Sequence, residues 1–188
     1  MQMATASHIL SYEEWLQLPT VEDGTDEVVN GVLRFMPPTH YPHAEVIEHL
    51  IASILPQIDR KVARVIGSNV GLMISREPLT CRSPDLILYW RDKMEVRDGL
   101  YDSPPALVIE ILSPSENRRR KEGKMADYAR IGVPEVWLCD PPKRTLEVRR
   151  LSNGRMEPVS VLTEGTVEPF GFPGVRVAIP EIWPEQAL

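Results

Sequence analysis

Cysteine is scarce in this chain: Cys81 and Cys139 are the only two. They stand in neither a metal-ligand spacing nor a disulfide framework, which excludes a cysteine-bound zinc site and a stapled secreted scaffold. No apolar run approaches membrane-spanning length. The stretch Met1–Leu10 lacks the basic start and long apolar core of a secretory signal. A cytoplasmic protein, away from membranes, is the expectation. Positive charge is not in excess either. The formal net charge is −6, which argues against a surface coated with phosphate-neutralising lysine and arginine. There is no internal repeat, no long linker, and no proline-rich tract, since the 18 prolines scatter at the edges of apolar runs. A length of 188 residues with 43% hydrophobic and 26% charged composition suits one globular domain over 1–188.

Local signals give the order of elements. Ser11-Tyr-Glu-Glu14 has capping-box form and predicts a short helix ending near Pro19. Asn30-Gly31 between β-prone runs predicts a hairpin over about 27–36, closed by Pro37-Pro38. Ile47, Leu50, Ile51, Ile54, Leu55 and Ile58 keep helical spacing and predict a helix from Pro42 to Ile58. Strands are predicted at Val62–Ile66, Val70–Ile74, Asp85–Tyr89 and Ala106–Leu112. A helix from Asn117 to Arg130 follows, stopped by Gly132. Strands Glu135–Asp140 and Thr145–Arg149 come next, and short strand-and-loop structure after Ser152 is expected to seal the sheet. The pattern is mixed α/β.

The chemistry begins with Glu110, set inside the apolar run Ala106–Leu112. An ionised carboxylate there is costly unless cations or hydrogen bonds compensate. Asp85 opens a second apolar run, and Lys124 falls on the following helix. Two acids on neighbouring strands with a nearby lysine suit Mg²⁺ (or Mn²⁺), which takes one or two carboxylates and leaves room for waters and a substrate phosphate. Arg118-Arg119-Arg120-Lys121 is the one dense cationic cluster, either a solvated helix start or a phosphate contact. Trp90 and Trp137 read as core or interface aromatics. The Ser113-Pro114-Ser115 turn invites a nucleophile reading, but no histidine base follows in a suggestive place.

These residues also carry a resemblance. Pro84-Asp85, Glu110-Ile-Leu-Ser113-Pro114-Ser115, Lys124-x-x-x-Tyr128 and Gly132-Val-Pro-Glu-Val-Trp-Leu-Cys-Asp140-Pro141 resemble the bacterial Uma-type family, candidate restriction endonucleases of the PD-(D/E)xK nuclease superfamily. The likeness extends to Glu27-x-x-x-Gly31, to His43 and to the Ser11 opening, and runs from about Tyr12 to Pro141. It implies a restriction-endonuclease-like fold: a mixed central sheet flanked by helices, with an N-terminal hairpin and a C-terminal strand-and-loop extension. The expectation is one such domain over 1–188, with its motif-bearing core at about 12–150.

The resemblance assigns Asp85 and Glu110 as catalytic metal ligands. Leu112 stands where the motif lysine is expected, which moves that role to Lys124; Glu27 matches an additional N-terminal acid that approaches the metal. His43, Arg119, Arg120 and Tyr128 are the candidate substrate contacts, while His40 has no supporting pattern. Arg120 replaces an aspartate usual in the family. For Glu27, pairing with a cross-strand arginine competes with the metal role.

The implied activity is Mg²⁺-dependent endodeoxyribonuclease cleavage of DNA, with a homodimer suggested by the twofold symmetry of duplex DNA. The alternatives are a nuclease-fold binding or regulatory module that has lost catalysis, and a structural protein whose carboxylates are held by internal arginines such as Arg82.

Overall fold

The structure, a computed structural model, describes residues 8–19, 25–36, 41–67, 70–113 and 118–185. The Met1–Ser7 stretch, Pro37-Pro38, His40, Pro114-Ser115 and the expected helix start at Asn117 lie outside the described residues. Helix α1 (Tyr12–Leu16) opens on the anticipated capping box, with Ser11 accepting from the Glu14 N–H and Glu14 accepting from the Ser11 N–H. The hairpin follows as β1 (Thr25–Val29) and β2 (Val32–Met36). Asn30 and Gly31 both take positive φ, 51° and 74°. Glycine suits position 31 because of that positive φ, and a Cβ there would also crowd the Leu10 carbonyl at 3.1 Å.

Helix α2 (Tyr41–Ile54) is shorter than its apolar stripe suggests, and Leu55–Gln57 tightens into a 3₁₀ turn. Pro56 has no N–H to donate to the carbonyl four residues back, so the α-helix stops there. The chain continues through β3 (Ala63–Gly67), β4 (Leu72–Arg76), β5 (Leu79–Arg82), β6 (Leu86–Trp90), β7 (Val96–Arg97), β8 (Leu100–Tyr101) and β9 (Leu107–Ile111). Helix α3 (Arg118–Arg130) leads into β10 (Glu135–Asp140), β11 (Thr145–Ser152), β12 (Arg155–Leu162), β13 (Thr166–Val167) and β14 (Val177–Ala178).

One six-stranded sheet has the order β12-β11-β10-β9-β6-β3. Its single parallel pair is β9 with β10, joined through α3 as a crossover needs. Side-chain alternation decides what each face meets. Leu86, Leu88, Leu107, Ile109, Ile111, Trp137 and Cys139 cluster with Val46, Leu50 and Ile54 of α2. Ile87, Tyr89, Val108, Val136 and Leu138 cluster with Met125, Tyr128 and Ala129 of α3. Glu110 shares the parity of Val108 and therefore points at α3. That parity positions the site.

The sequence reading anticipated one central sheet; a second six-stranded sheet is also present, β2-β1-β5-β4-β8-β7. Its strand β5, between Pro78 and Pro84, was not among the expected elements. Past Ser152, the chain adds β12 to the edge of the first sheet and packs Ile179, Ile182 and Trp183 into the α2-side core. Among the described residues no helix is long and apolar enough to cross a membrane.

Candidate active site

Strands β6 and β9 pair antiparallel with Leu86 opposite Ile109. Continuing that register by one step places Asp85 opposite Glu110. The Asp85 carboxylate folds onto the next peptide of β9, where the Ile111 N–H donates to Oδ2 at 2.7 Å. Its other oxygen, Oδ1, lies 3.2 Å from His43 Nε2, on the first turn of α2. His43 Nδ1 is buried with no hydrogen-bond partner among the described residues. A proton on Nε2, facing the carboxylate, is the tautomer this arrangement favours.

Glu110 is 2% exposed. Two groups of α3, four residues apart, reach it from one helix face. Lys124 Nζ donates to Oε2 at 2.6 Å, and the Tyr128 hydroxyl donates to Oε1. Burial pushes the Glu110 carboxyl up to about 7; Lys124 opposes the rise and the negative charge of Asp85 adds to it. The two acids are thus close enough to repel. Burial and the neighbouring Glu110 also raise the Tyr128 hydroxyl well above its ordinary value, so it stays a hydrogen-bond donor.

Glu27, 1% exposed on β1, joins from the second sheet. Val28 pairs with Cys81, which sets Glu27 across from Arg82. Arg82 Nη1 donates to Glu27 Oε2 at 3.1 Å, the Ser83 N–H donates to Oε1 at 3.3 Å, and Lys124 Nζ stands 3.9 Å from Oε1. Glu27 therefore has the cross-strand arginine that was one of its two readings, and it also borders the lysine. Arg82 further binds Asp127 of α3. Asp127 was absent from the sequence reading, and Arg82 entered it only as an internal partner. Their signal was spacing: three residues before Asp85 and three after Lys124.

The structure thus brings Lys124 and Tyr128 to Glu110, His43 to Asp85, and Glu27 to within 3.9 Å of Lys124. It does not draw Arg119 to the carboxylates. That side chain is exposed on the first turn of α3 and makes no ion pair with them among the described residues. Arg120 reaches the hairpin, with Nη2 3.1 Å from Met36 Sδ. A cleft of about 700 Å³ opens beside Leu112 and Ser113, lined by Arg118, Lys121, Asp140, Lys143 and Arg149 among others. Both cysteines are buried, and burial pushes the Cys81 thiol up to about 12 and Cys139 up as well. Neither offers a thiolate nucleophile at neutral pH.

Among the described residues no group of three or more His, Cys, Asp or Glu side chains is gathered to hold a metal ion. The donor set suits a hard cation such as Mg²⁺, which needs only one or two carboxylates. Each carboxylate oxygen has a second lone pair beyond the bonds described. A cation between Asp85 and Glu110 would also relieve their repulsion.

The chain matches the model of the Uma2 family, described as "Putative restriction endonuclease", over residues 12–180. Among solved structures it is similar to the crystal structure of a protein from Anabaena variabilis described as "a putative nuclease belonging to DUF820". The TM-score is 0.75 at 19% identity, covering 92% of this chain and 97% of that one. No curated protein matches the chain in sequence. The shared fold is the restriction-endonuclease-like one, and the family match reaches well past the motif-bearing core, into the C-terminal strands. From residue 12 to residue 180, the chain belongs to the Uma2 family.

Proposed function

We propose that this protein hydrolyses DNA phosphodiester bonds with the help of a divalent metal ion, Mg²⁺ or Mn²⁺, held by Asp85 and Glu110. The observation that carries the reading is Glu110: a buried carboxylate whose register places it opposite Asp85, with the Lys124 ammonium 2.6 Å from its Oε2. When bound, the metal supplies a Lewis acid and a water of lowered pKa. The chain's own residues do the rest. The Ile111 N–H and His43 orient Asp85, while Lys124 and Tyr128 orient Glu110. Lys124 brings a compact cation to a site where negative charge grows as the phosphorus is attacked. Glu27 is a third acid beside that lysine.

The cleft supports the choice of a polyanionic substrate. It begins at Leu112, just past the end of β9, and Arg118, Lys121, Lys143 and Arg149 line it together with Glu122, Asp140 and Glu147, which pair with Lys121, Lys143 and Arg149. The Lys143–Asp140 pair is largely solvated, with Lys143 74% exposed, so exchanging its carboxylate for a phosphate costs little. The strand being cut would run from the carboxylates along the start of α3 to the β10–β11 turn. The test is cleavage of plasmid DNA with Mg²⁺ or Mn²⁺ by wild type, Asp85→Ala and Glu110→Gln. Cleavage by wild type alone supports the assignment; equal behaviour of all three removes it.

A second reading rests on the same atoms. Lys124 and Tyr128 occupy both oxygens of Glu110, and Arg82 holds Glu27. That closure suits a binding module on a nuclease fold that has given up hydrolysis. Calorimetric titration with Mn²⁺ separates the two: no heat of binding in wild type favours the second.

A further inference from the structure

Arg82 lies on β5, in the sheet that does not contain Glu110. Its side chain is 5% exposed and touches two elements at once. Nη1 donates to Glu27 Oε2 of β1 at 3.1 Å, and Nε and Nη2 donate to Asp127 Oδ2 of α3 at 2.9 and 2.7 Å. Asp127 falls between Lys124 and Tyr128 in sequence, so whatever fixes Asp127 also sets where those two side chains emerge. The guanidinium passes alongside α3 at Gly123, where an added Cβ would lie 3.8 Å from Nη2.

The position of Lys124 raises a question of competition. Its Nζ is 2.6 Å from Glu110 Oε2 and 3.9 Å from Glu27 Oε1. Both acids are buried, and an unpaired buried carboxylate pulls strongly on any cation in reach. Without its arginine, Glu27 would keep only the long Ser83 N–H bond, at 3.3 Å, and no cation of its own. We infer that Arg82 is a positioning residue: by satisfying Glu27 and Asp127 together, it commits the Lys124 ammonium to Glu110 and holds α3 against the carboxylate site. The fork of the guanidinium matters, since its separate nitrogens reach Glu27 and Asp127 at once, whereas a lysine offers one compact ammonium in place of that spread. The role goes beyond filling a charged hole. It determines which acid the site lysine serves.

The structural half of this inference stands independently of hydrolysis, and the kinetic half rests on the proposed nuclease reading. Crystal structures of Arg82→Gln without metal test the first. The expected result is Lys124 Nζ within about 3 Å of Glu27 and withdrawn from Glu110. Adding Glu27→Gln to that variant should return the ammonium to Glu110. Lys124 still hydrogen-bonded to Glu110 in Arg82→Gln overturns the inference. Should Arg82→Gln fail to fold, Arg82→Lys takes its place. There the expectation is loss of either the Glu27 or the Asp127 contact, with the Lys124–Glu110 separation grown beyond about 3.5 Å; both contacts kept overturns it.

If wild type cuts DNA, the same variants should lower kcat about ten- to a hundredfold with KM within about twofold, the pattern of a misplaced group rather than lost substrate affinity. A kcat equal to that of wild type would overturn the role. A wild type that cuts no DNA removes the hydrolysis reading and leaves the crystallographic test to decide.

Discussion

The two faces of the central sheet are made by the same strands and differ in residue parity; both bury an apolar layer, but only the α3 side sets a buried carboxylate against a helix lysine. On the α2 side, Leu86, Leu88, Leu107, Ile109 and Ile111 meet Val46, Leu50 and Ile54 in an apolar layer. On the α3 side, Val108 is followed two residues on by Glu110, and a tyrosine and a lysine of α3 close over it. The lesson is one of division of labour. Apolar burial on both faces supplies hydrophobic stabilisation, and that surplus lets the α3 face keep Glu110, whose burial is unfavourable.

The largest effects should come from erasing the polar face. Asp85→Ala or Glu110→Gln is expected to lower the rate of plasmid cleavage by at least about a hundredfold while the fold survives, read by gel assay beside circular dichroism. The opposite behaviour belongs to the apolar face. Leu107→Ala should cost about 2–5 kcal/mol in chemical denaturation and leave the activity per folded molecule unchanged. If the two substitutions behaved alike, the contrast between the faces would be broken.

The pH response sharpens the same contrast. Burial pushes the Glu110 carboxyl up to about 7 in the folded chain, from an ordinary value of 4.5. Between those values the folded state holds a proton that the unfolded state has released. Stability in metal-free buffer therefore falls as pH rises from about 4.5 through 7, by an amount on the order of 2–3 kcal/mol. Glu110→Gln should flatten that slope, as denaturant titrations at pH 5 and pH 8 would show. Replacements on the α2 face should leave it in place.

Smaller effects lie away from Glu110, where α2 holds Asp85 and along the cleft. His43→Ala removes the partner of Asp85 Oδ1 and should weaken Mn²⁺ binding about tenfold by calorimetry. Lys143→Ala should change stability by less than about 0.5 kcal/mol, since its ion pair is exposed. It should also lower the salt dependence of DNA binding by about one unit of slope, if the substrate strand follows the cleft.

Much of this polar face was legible because it breaks rules locally. Glu110 interrupts an apolar run, Asp85 opens another, and Lys124 and Tyr128 keep a four-residue helical spacing. The hairpin was legible for a similar reason, since Asn30-Gly31 is a local turn requirement. The second sheet was not. Strand β5 is four residues long between prolines, and its partner β1 lies more than fifty residues earlier, with Val28 pairing to Cys81. Nothing local records such a pairing, so the sequence offered Arg82 as an internal partner for the carboxylates but not as the link between Glu27 and Asp127. Arg119 and Arg120 form one cationic run in the sequence, but successive helix positions point in different directions. One is exposed and the other turns to Met36.

The most direct measurement is a crystal soaked in Mn²⁺ and examined for anomalous scattering. The account predicts one strong peak at about 2.2 Å from an oxygen of both Asp85 and Glu110, absent when both acids are replaced by their amides. No peak between those side chains, or an equal peak without the two carboxylates, would contradict it.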